Sequence, residues 1–344
     1  MSINNAYKIL ITLLFKNKEE IEKEIDFKKI KYDNIIKLAS SHLMIPALYV
    51  RLRENKLLKI INNDFKEYIK YIYDLNKIRN NNLIEELREL SKLYIENEID
   101  HVFLKGSSYI AYGRFNDIGE RMIGDIDVLV AKSDYNKSIR LSKKYGYNSN
   151  AIFIFDSKHY PRMIHPKKLF ALEIHNRLLR KKNKLLKPES FLNNKIKLES
   201  NIYVPNKKDR ILHTIYNYQI NDLGNLNATI SYRSLYDIAV YNSEINDLLK
   251  FKYSKYLNNY FLISDYIGVT NTNVKLNILN KIYLCRFKAK RKYKIYNILD
   301  NIICRQIYST PIRINNFYRL FTSSKYRLYL LNKINRKLNC ILFY

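Results

Sequence analysis

Apolar residues recur at helical spacing through the first 95 positions of the chain. Ile35, Ile36, Leu38, Ala39 and Leu43 fall on one helical face. The segment Ile60 to Glu96 repeats the pattern, with Lys66, Glu67, Glu85, Glu86 and Arg88 on the wet side. The apolar run Ile9 to Phe15, ended by Lys16, reads as a first helix, because it lacks a small-residue cleavage site and falls short of the ~18 apolar residues a spanning segment needs. Pro46 marks a helix start. At Ile99 the texture changes. His101 to Leu104 reads as a strand ended by the turn Lys105-Gly106-Ser107, and Ser107 to Phe115 as a helix. Ile126, Val128 and Val130 alternate with Asp125, Asp127 and Leu129, a period of two and therefore a strand. Ser133 to Tyr145 reads as a helix capped by Ser133, and Ala151 to Phe155 and Leu169 to His175 as two further strands. Beyond Leu178 the helical pattern returns, punctuated by Pro188 and Pro205, with helices expected over Asp209 to Asn217, Ser231 to Tyr241 and Ser243 to Lys250. The expected fold class is α+β: a helical region (1–95), a core with a small mixed sheet (96–180), and a second helical region ending in a basic, Tyr-rich tail (181–344).

Composition narrows this further. With 47% hydrophobic residues among 344, the chain can bury a sizeable core, while only seven Gly and six Pro argue against collagen, glycine-spaced repeats and a sandwich dense in turns. Cys285, Cys304 and Cys340 show no close pairing, which suits a reducing cytoplasm and gives no zinc signature. The formal charge of +29 admits nucleic acid, an anionic membrane surface or an acidic substrate such as a nucleotide as partner. Lys, Asn, Ile and Tyr are also what AT-rich coding enriches, so part of the charge needs no partner. The excess is uneven: residues 275–344 hold sixteen Lys/Arg against one acid, Asp300. There Tyr and Phe interleave with cations, as in KRKYKIY. This suits RNA stacking, a peripheral anionic surface, or plain helices that bury Tyr and show Lys to water.

Candidate chemistry gathers where glycine does. Four of the seven glycines, Gly106, Gly113, Gly119 and Gly124, lie between the first strand and the alternating one. Asp125 and Asp127 project from one strand face, and two carboxylates so close repel unless a cation lies between them. Mg²⁺, which takes one or two carboxylates plus phosphate oxygens, is the usual solution, although a lone D-x-D also occurs by chance on surface strands. Three neighbours strengthen the case. Lys105-Gly106-Ser107 opens a helix whose amides, with the Ser107 hydroxyl, can bind phosphate, and Gly106 would let the backbone come close. Glu173 is an acid in the otherwise apolar strand ALEIH, and Arg121 precedes the first Asp by four. Taken singly, each has an ordinary alternative: a turn, an edge-strand acid, a surface charge. His159, Arg162 and His165 in KHYPRMIHP form either a basic loop flanking the site or a solvated hairpin.

Lys-Gly-Ser, then Asp-x-Asp on the next strand, then an isolated acid on a later strand resembles the polymerase-β-like nucleotidyltransferase superfamily. FLKGSSYIAYGRFNDIGERMIGDIDVLV followed by ALEIHNRL is similar, more closely, to a bacterial family of uncharacterised nucleotidyltransferases, and the flanks ASSHLMIPALYVRL and ILHTIYNYQI…YRSLYDIAVY extend the likeness over roughly residues 30–245. The resemblance implies a metal-dependent nucleotidyltransferase. It would move an NMP from an NTP, ATP by default, to an acceptor hydroxyl or phosphate and release pyrophosphate. Asp125, Asp127 and Glu173 would be catalytic and would hold two Mg²⁺ ions. Lys105, Gly106, Ser107, Arg121, His175 and Asp237 would bind substrate, Asp237 because the matching helix lies by the cleft; its alternative is an i,i+4 pair with Arg233. RNA, tRNA or a cell-surface precursor are open as acceptor. One departure stands out: seventeen residues separate Ser107 from Asp125, more than the compact spacing of the superfamily. The contrasting possibility is a non-catalytic basic protein that binds RNA or a membrane surface and carries a degenerate transferase core.

Overall fold

The computed structural model describes residues 3–149, 158–180, 185–239, 255–272, 274 and 277–331. Helices α1 (Ile3–Phe15), α2 (Lys18–Glu24), α3 (Tyr32–Ser41), α4 (Ile45–Glu54) and α5 (Asn63–Glu96) build the first region. Pro46 sits in the first turn of α4, where its missing N–H costs nothing, as the sequence predicts. The longest helix, α5, starts at Asn62, whose side chain accepts the Phe65 N–H. Its buried stripe runs Phe65, Ile69, Tyr73, Asn76, Asn80, Leu83, Leu87, Leu90 and Tyr94, in steps of three or four.

The sheet follows: β1 (His101–Phe103), α6 (Lys105–Ala111), β2 (Asp125–Val130), α7 (Tyr135–Lys144) and β3 (Ala171–His175). Strand order is β1-β2-β3, with β1 antiparallel and β3 parallel to the central β2. A segment at 159–164 bridges antiparallel to β3 through His159–His175 and Met163–Leu172. The chain then continues through α8 (Pro188–Asn193), a small hairpin β4 (Ile196–Lys197) and β5 (Tyr203–Val204), α9 (Lys207–Tyr216), a π turn at Asn217–Asn221, α10 (Gly224–Asn227) and α11 (Tyr232–Ala239). Helices α12 (Lys255–Tyr266), α13 (Ile278–Lys292) and α14 (Lys294–Thr322) follow, and residues 324–331 are again helical. This is the expected α+β class, and buried residues from Ala6 to Phe287 form one continuous hydrophobic cluster.

Local expectations need two adjustments. The helix after the first strand spans Lys105–Ala111 rather than Ser107 to Phe115. Ser133 does not cap α7: the helix starts at Tyr135 after Asp134, whose carboxylate instead accepts the Asp100 N–H at 3.1 Å and so ties the start of α7 to the lead-in of β1. The strand expected over Ala151 to Phe155 and the helix over Ser243 to Lys250 lie outside the described residues.

The stretch between α6 and β2 is held from both helical flanks. Asn76 and Asn80, polar breaks in the α5 stripe, donate to the carbonyls of Ile118, Gly119 and Arg121 at 2.6–3.1 Å. Arg53 of α4 and the Tyr73 hydroxyl both bond Asp117 at 2.7 Å. From the other side, the Tyr236 hydroxyl donates to Glu120 at 2.8 Å. Glu120 is 6% exposed, and burial pushes its carboxyl up to about 7 against the opposing effect of that hydrogen bond. A carboxyl raised on folding binds more protons in the folded chain, so stability falls as pH rises from about 4.5 to 7. Glu120→Gln removes that slope. Urea unfolding at pH 5 and pH 8 is expected to show the variant gaining on the wild type by about 2–3 kcal/mol at the higher pH.

Candidate active site

The register of the parallel pair sets Asp127 directly opposite Glu173, and Asp125 opposite Ala171. Residues in register share a face, and His175, two residues beyond Glu173, joins it. Asp127 is 2% exposed. Its Oδ1 accepts from the Lys105 ammonium and from His175 Nε2 at 2.8 Å. Glu173 Oε2 lies 3.6 Å from His175 Nε2, 3.8 Å from His159 Nε2 and 4.0 Å from Lys105 Nζ. Asp127, Glu173, Lys105 and His175, four of the residues singled out in the sequence, are therefore brought together, and His159 joins them by its bridge to β3.

Electrostatics distinguish the three acids. Burial works to raise the Asp127 carboxyl, but Lys105 and His175 outweigh it and hold that group well below the usual carboxylate range. Glu173 is lowered as well, the effect of burial being overcome by the His175 hydrogen bond with help from Lys105 and His159. Asp125 lacks a partner of this kind: burial, then the charges of Asp127 and Glu173, raise it. The Lys105 ammonium is penalised by burial, yet Asp127 more than compensates and keeps it charged. Lys105 also sits at φ 52°, a left-handed conformation rare for a side chain with a β-carbon and costing about 1 kcal/mol or more. The adjoining backbone is pinned by the Leu104 N–H to the Asp127 carbonyl at 2.8 Å.

The donor set fits a divalent metal ion. Asp127, Glu173 and His175 each offer one ligand atom, and the three atoms lie within 4.8 Å of one another. Two carboxylate oxygens and an imidazole nitrogen are ordinary ligands for such an ion, and the Lys105 ammonium already marks the place where the acids call for positive charge. Asp125 does not belong to this trio. His175 Nδ1 is buried with no hydrogen-bond partner among the described residues, so nothing there fixes the ring from behind.

Other predicted residues are occupied elsewhere. The Ser107 hydroxyl, buried, donates to the Leu104 carbonyl at 2.7 Å and is used in the helix start. Gly106 faces the 121–123 stretch, where an added β-carbon would meet only the Cδ1 tip of the Ile123 side chain. Arg121 grips Asp237 with both prongs, Nε to Oδ1 at 2.6 Å and Nη2 to Oδ2 at 2.8 Å, while Nη1 donates to the Met122 carbonyl at 2.6 Å. Both side chains are buried. The expected i,i+4 pair of Asp237 with Arg233 does not form, because Arg121 offers the fork geometry that matches a carboxylate. Arg162 reaches the Gly124 carbonyl at 3.4 Å, beside Asp125, whereas His165 packs near Gly146 and Tyr145.

Two cations in this neighbourhood are left over. Lys158 is buried and makes no ion pair with a described residue; burial, then the Lys105 charge, lowers its amine to about 8. Arg233, half-buried on α11, likewise has no hydrogen bond or ion pair among the described residues, and burial and Arg121 lower it. Both feel Asp222, and Arg233 also feels Asp125. Neither follows from sequence periodicity. Lys158 opens the KHYPRMIHP stretch, whose antiparallel docking on β3 no motif announces.

A model of the family described as uncharacterised nucleotidyltransferase matches residues 28–254, well over half of the chain. Comparison with curated proteins and with solved structures finds no match.

Removing one partner of the Arg121–Asp237 pair strands a buried charge. Asp237→Ala is expected to lower the unfolding free energy by about 3–5 kcal/mol in urea titration, whereas the double variant Arg121→Leu/Asp237→Leu recovers most of the loss.

Proposed function

Because the chain belongs to the family of uncharacterised nucleotidyltransferases, and because its sheet sets Asp127 beside Glu173, we propose that it is a Mg²⁺-dependent nucleotidyltransferase. It moves an NMP from an NTP, ATP by default, to a hydroxyl or phosphate of an acceptor. The acceptor oxygen bonds to the α-phosphorus as the bond to pyrophosphate breaks. The in-register acids with their lysine and histidine are the observation that carries this reading. A retired core would have no physical use for two acids kept ionised in a buried place.

In this reading Asp127 and Glu173, with Asp125 beside them, would hold Mg²⁺, two ions in all, and His175 would orient Asp127. Bound there, the metal would polarise the reacting phosphate and offset the charge on the departing pyrophosphate. Phosphate recognition passes from Arg121, which is committed to Asp237, to Lys158 and Arg233, which make no ion pair with a described residue. Gly106 and Ser107 support the turn that carries Lys105. Residues 96–180 carry the chemistry, 1–95 brace it, and 181–344 complete the substrate side. The acceptor class comprises RNA, tRNA or a cell-surface precursor. The free thiols Cys285 and Cys304 agree with the cytoplasm, where nucleoside triphosphates are plentiful.

Asp127→Asn keeps the shape and one acceptor oxygen but removes the charge. With an α-³²P-labelled NTP and cell extract as acceptor source, transfer is expected to fall about a thousandfold, while thermal unfolding stays cooperative. Labelling at the wild-type rate would overturn the reading and leave a non-catalytic binding protein in its place.

A further inference from the structure

Helix α14 (Lys294–Thr322) touches the rest of the chain along a narrow line. Of its residues only Asp300 and Cys304 are buried. On the side away from them stand Ile295, Leu299, Ile303, Ile314, Phe317 and Phe321, each 55–75% exposed. Their spacing, steps of four, four, eleven, three and four, keeps them on one stripe of a 3.6-residue helix. Lys294, Arg305 and Arg319, separated by eleven and fourteen residues, share a second stripe. An apolar stripe this long on a water-facing helix needs something to cover it.

Charge says what kind. Residues 275–344 carry sixteen Lys/Arg and one acid, and that acid is spent internally. Asp300 accepts from Arg286 at 2.6 and 2.8 Å and from Lys290 at 2.8 Å. The helix therefore shows cations, aliphatic side chains and a few rings, and no carboxylate. A second copy of the chain would bring two such basic faces together against their mutual repulsion. RNA would satisfy the cations and find Phe317 and Phe321 to stack on, yet it would leave Ile295, Leu299, Ile303 and Ile314 in water, since aliphatic groups have no ring face for bases. A bilayer of anionic phospholipid satisfies both stripes at once, with acyl chains for the apolar one and headgroup phosphates for the basic one.

We propose that α14 lies in the interface of an anionic phospholipid bilayer, with its Ile295–Phe321 stripe turned into the acyl region and its Arg305–Arg319 stripe at the headgroups. It rests on the membrane rather than spanning it: among the described residues no helix is long and apolar enough to cross. The proposal is independent of the transferase reading, because none of these residues belongs to the site.

The chain contains no Trp, so a single introduced one reports on one position. Phe317→Trp sits on the apolar stripe and Asn315→Trp on the polar side, both at exposed positions that tolerate the change. With full-length protein and vesicles of phosphatidylglycerol and phosphatidylcholine in equal parts, Phe317→Trp emission is expected to shift to the blue while Asn315→Trp emission does not. Affinity for pure phosphatidylcholine vesicles should be at least about tenfold lower, since each juxtamembrane cation adds about 1 kcal/mol on an anionic surface. The proposal is overturned if neither reporter shifts, if both shift alike, or if the two vesicle types bind equally. It is also overturned if the shift appears without vesicles as protein concentration rises, which would mean self-association, or with RNA alone.

Discussion

Two carboxylates held opposite each other across a parallel strand pair, one of them almost fully out of water, are the constraint around which the core is organised. Asp127 and Glu173 cannot both stay ionised there unless positive charge is supplied from close by. The Lys105 ammonium supplies it, and two imidazoles stand beside the acids. Lys105 enters from the end of β1 and keeps an unfavourable left-handed backbone to do so. His175 comes from the same face of β3, and His159 from the segment bridged antiparallel to it. Each of these features looks odd in isolation and follows once the acids are fixed. Asp125, which makes no ion pair with a described residue, is raised by burial and by the charges of Asp127 and Glu173.

The second dependence is mechanical. β2 delivers Asp127 only if the chain entering it is held still, and that chain is a seventeen-residue passage from Ser107. It is nailed on one side by Arg53, Asn76 and Asn80 and on the other by Asp237 and Tyr236. A compact core would need no such bracing. The long passage does, which gives the helical regions before and after the sheet a physical role in setting the site. The family match, running over 28–254, takes in both sides of this clamp.

What could be read from the sequence follows from how local each signal is. The strand at Asp125–Val130 announces itself by alternation, and the isolated Glu173 by its apolar neighbours. Their mutual register is a long-range fact, set by β2–β3 pairing, and no spacing rule reaches it. Arg121 illustrates the same limit: residue type and position made it a phosphate ligand, while a partner 116 residues away consumes its hydrogen-bonding capacity. For Ser107 the competing bond is local instead. A serine two residues into a helix has a carbonyl within easy reach, and its hydroxyl takes the local bond. Asn76 and Asn80 were legible as breaks in the apolar stripe of α5, but not as the anchors they are.

The overall charge of +29 hides two populations that behave in opposite ways. Around the sheet Lys105 and Arg121 are each answered by a buried acid, Asp127 and Asp237, while Lys158 and Arg233 make no ion pair with a described residue. Beyond residue 275 the relation inverts: cations outnumber acids sixteen to one, and the single acid is locked between Arg286 and Lys290. Electrostatic attraction that ends inside the fold cannot recruit a partner, whereas a field without internal counter-charge extends outward to about a Debye length, roughly 8–10 Å at ordinary salt. Basic composition as such therefore says little about function. The distribution of the few acids decides which cations hold the protein together, which await a phosphate at the site, and which face outward.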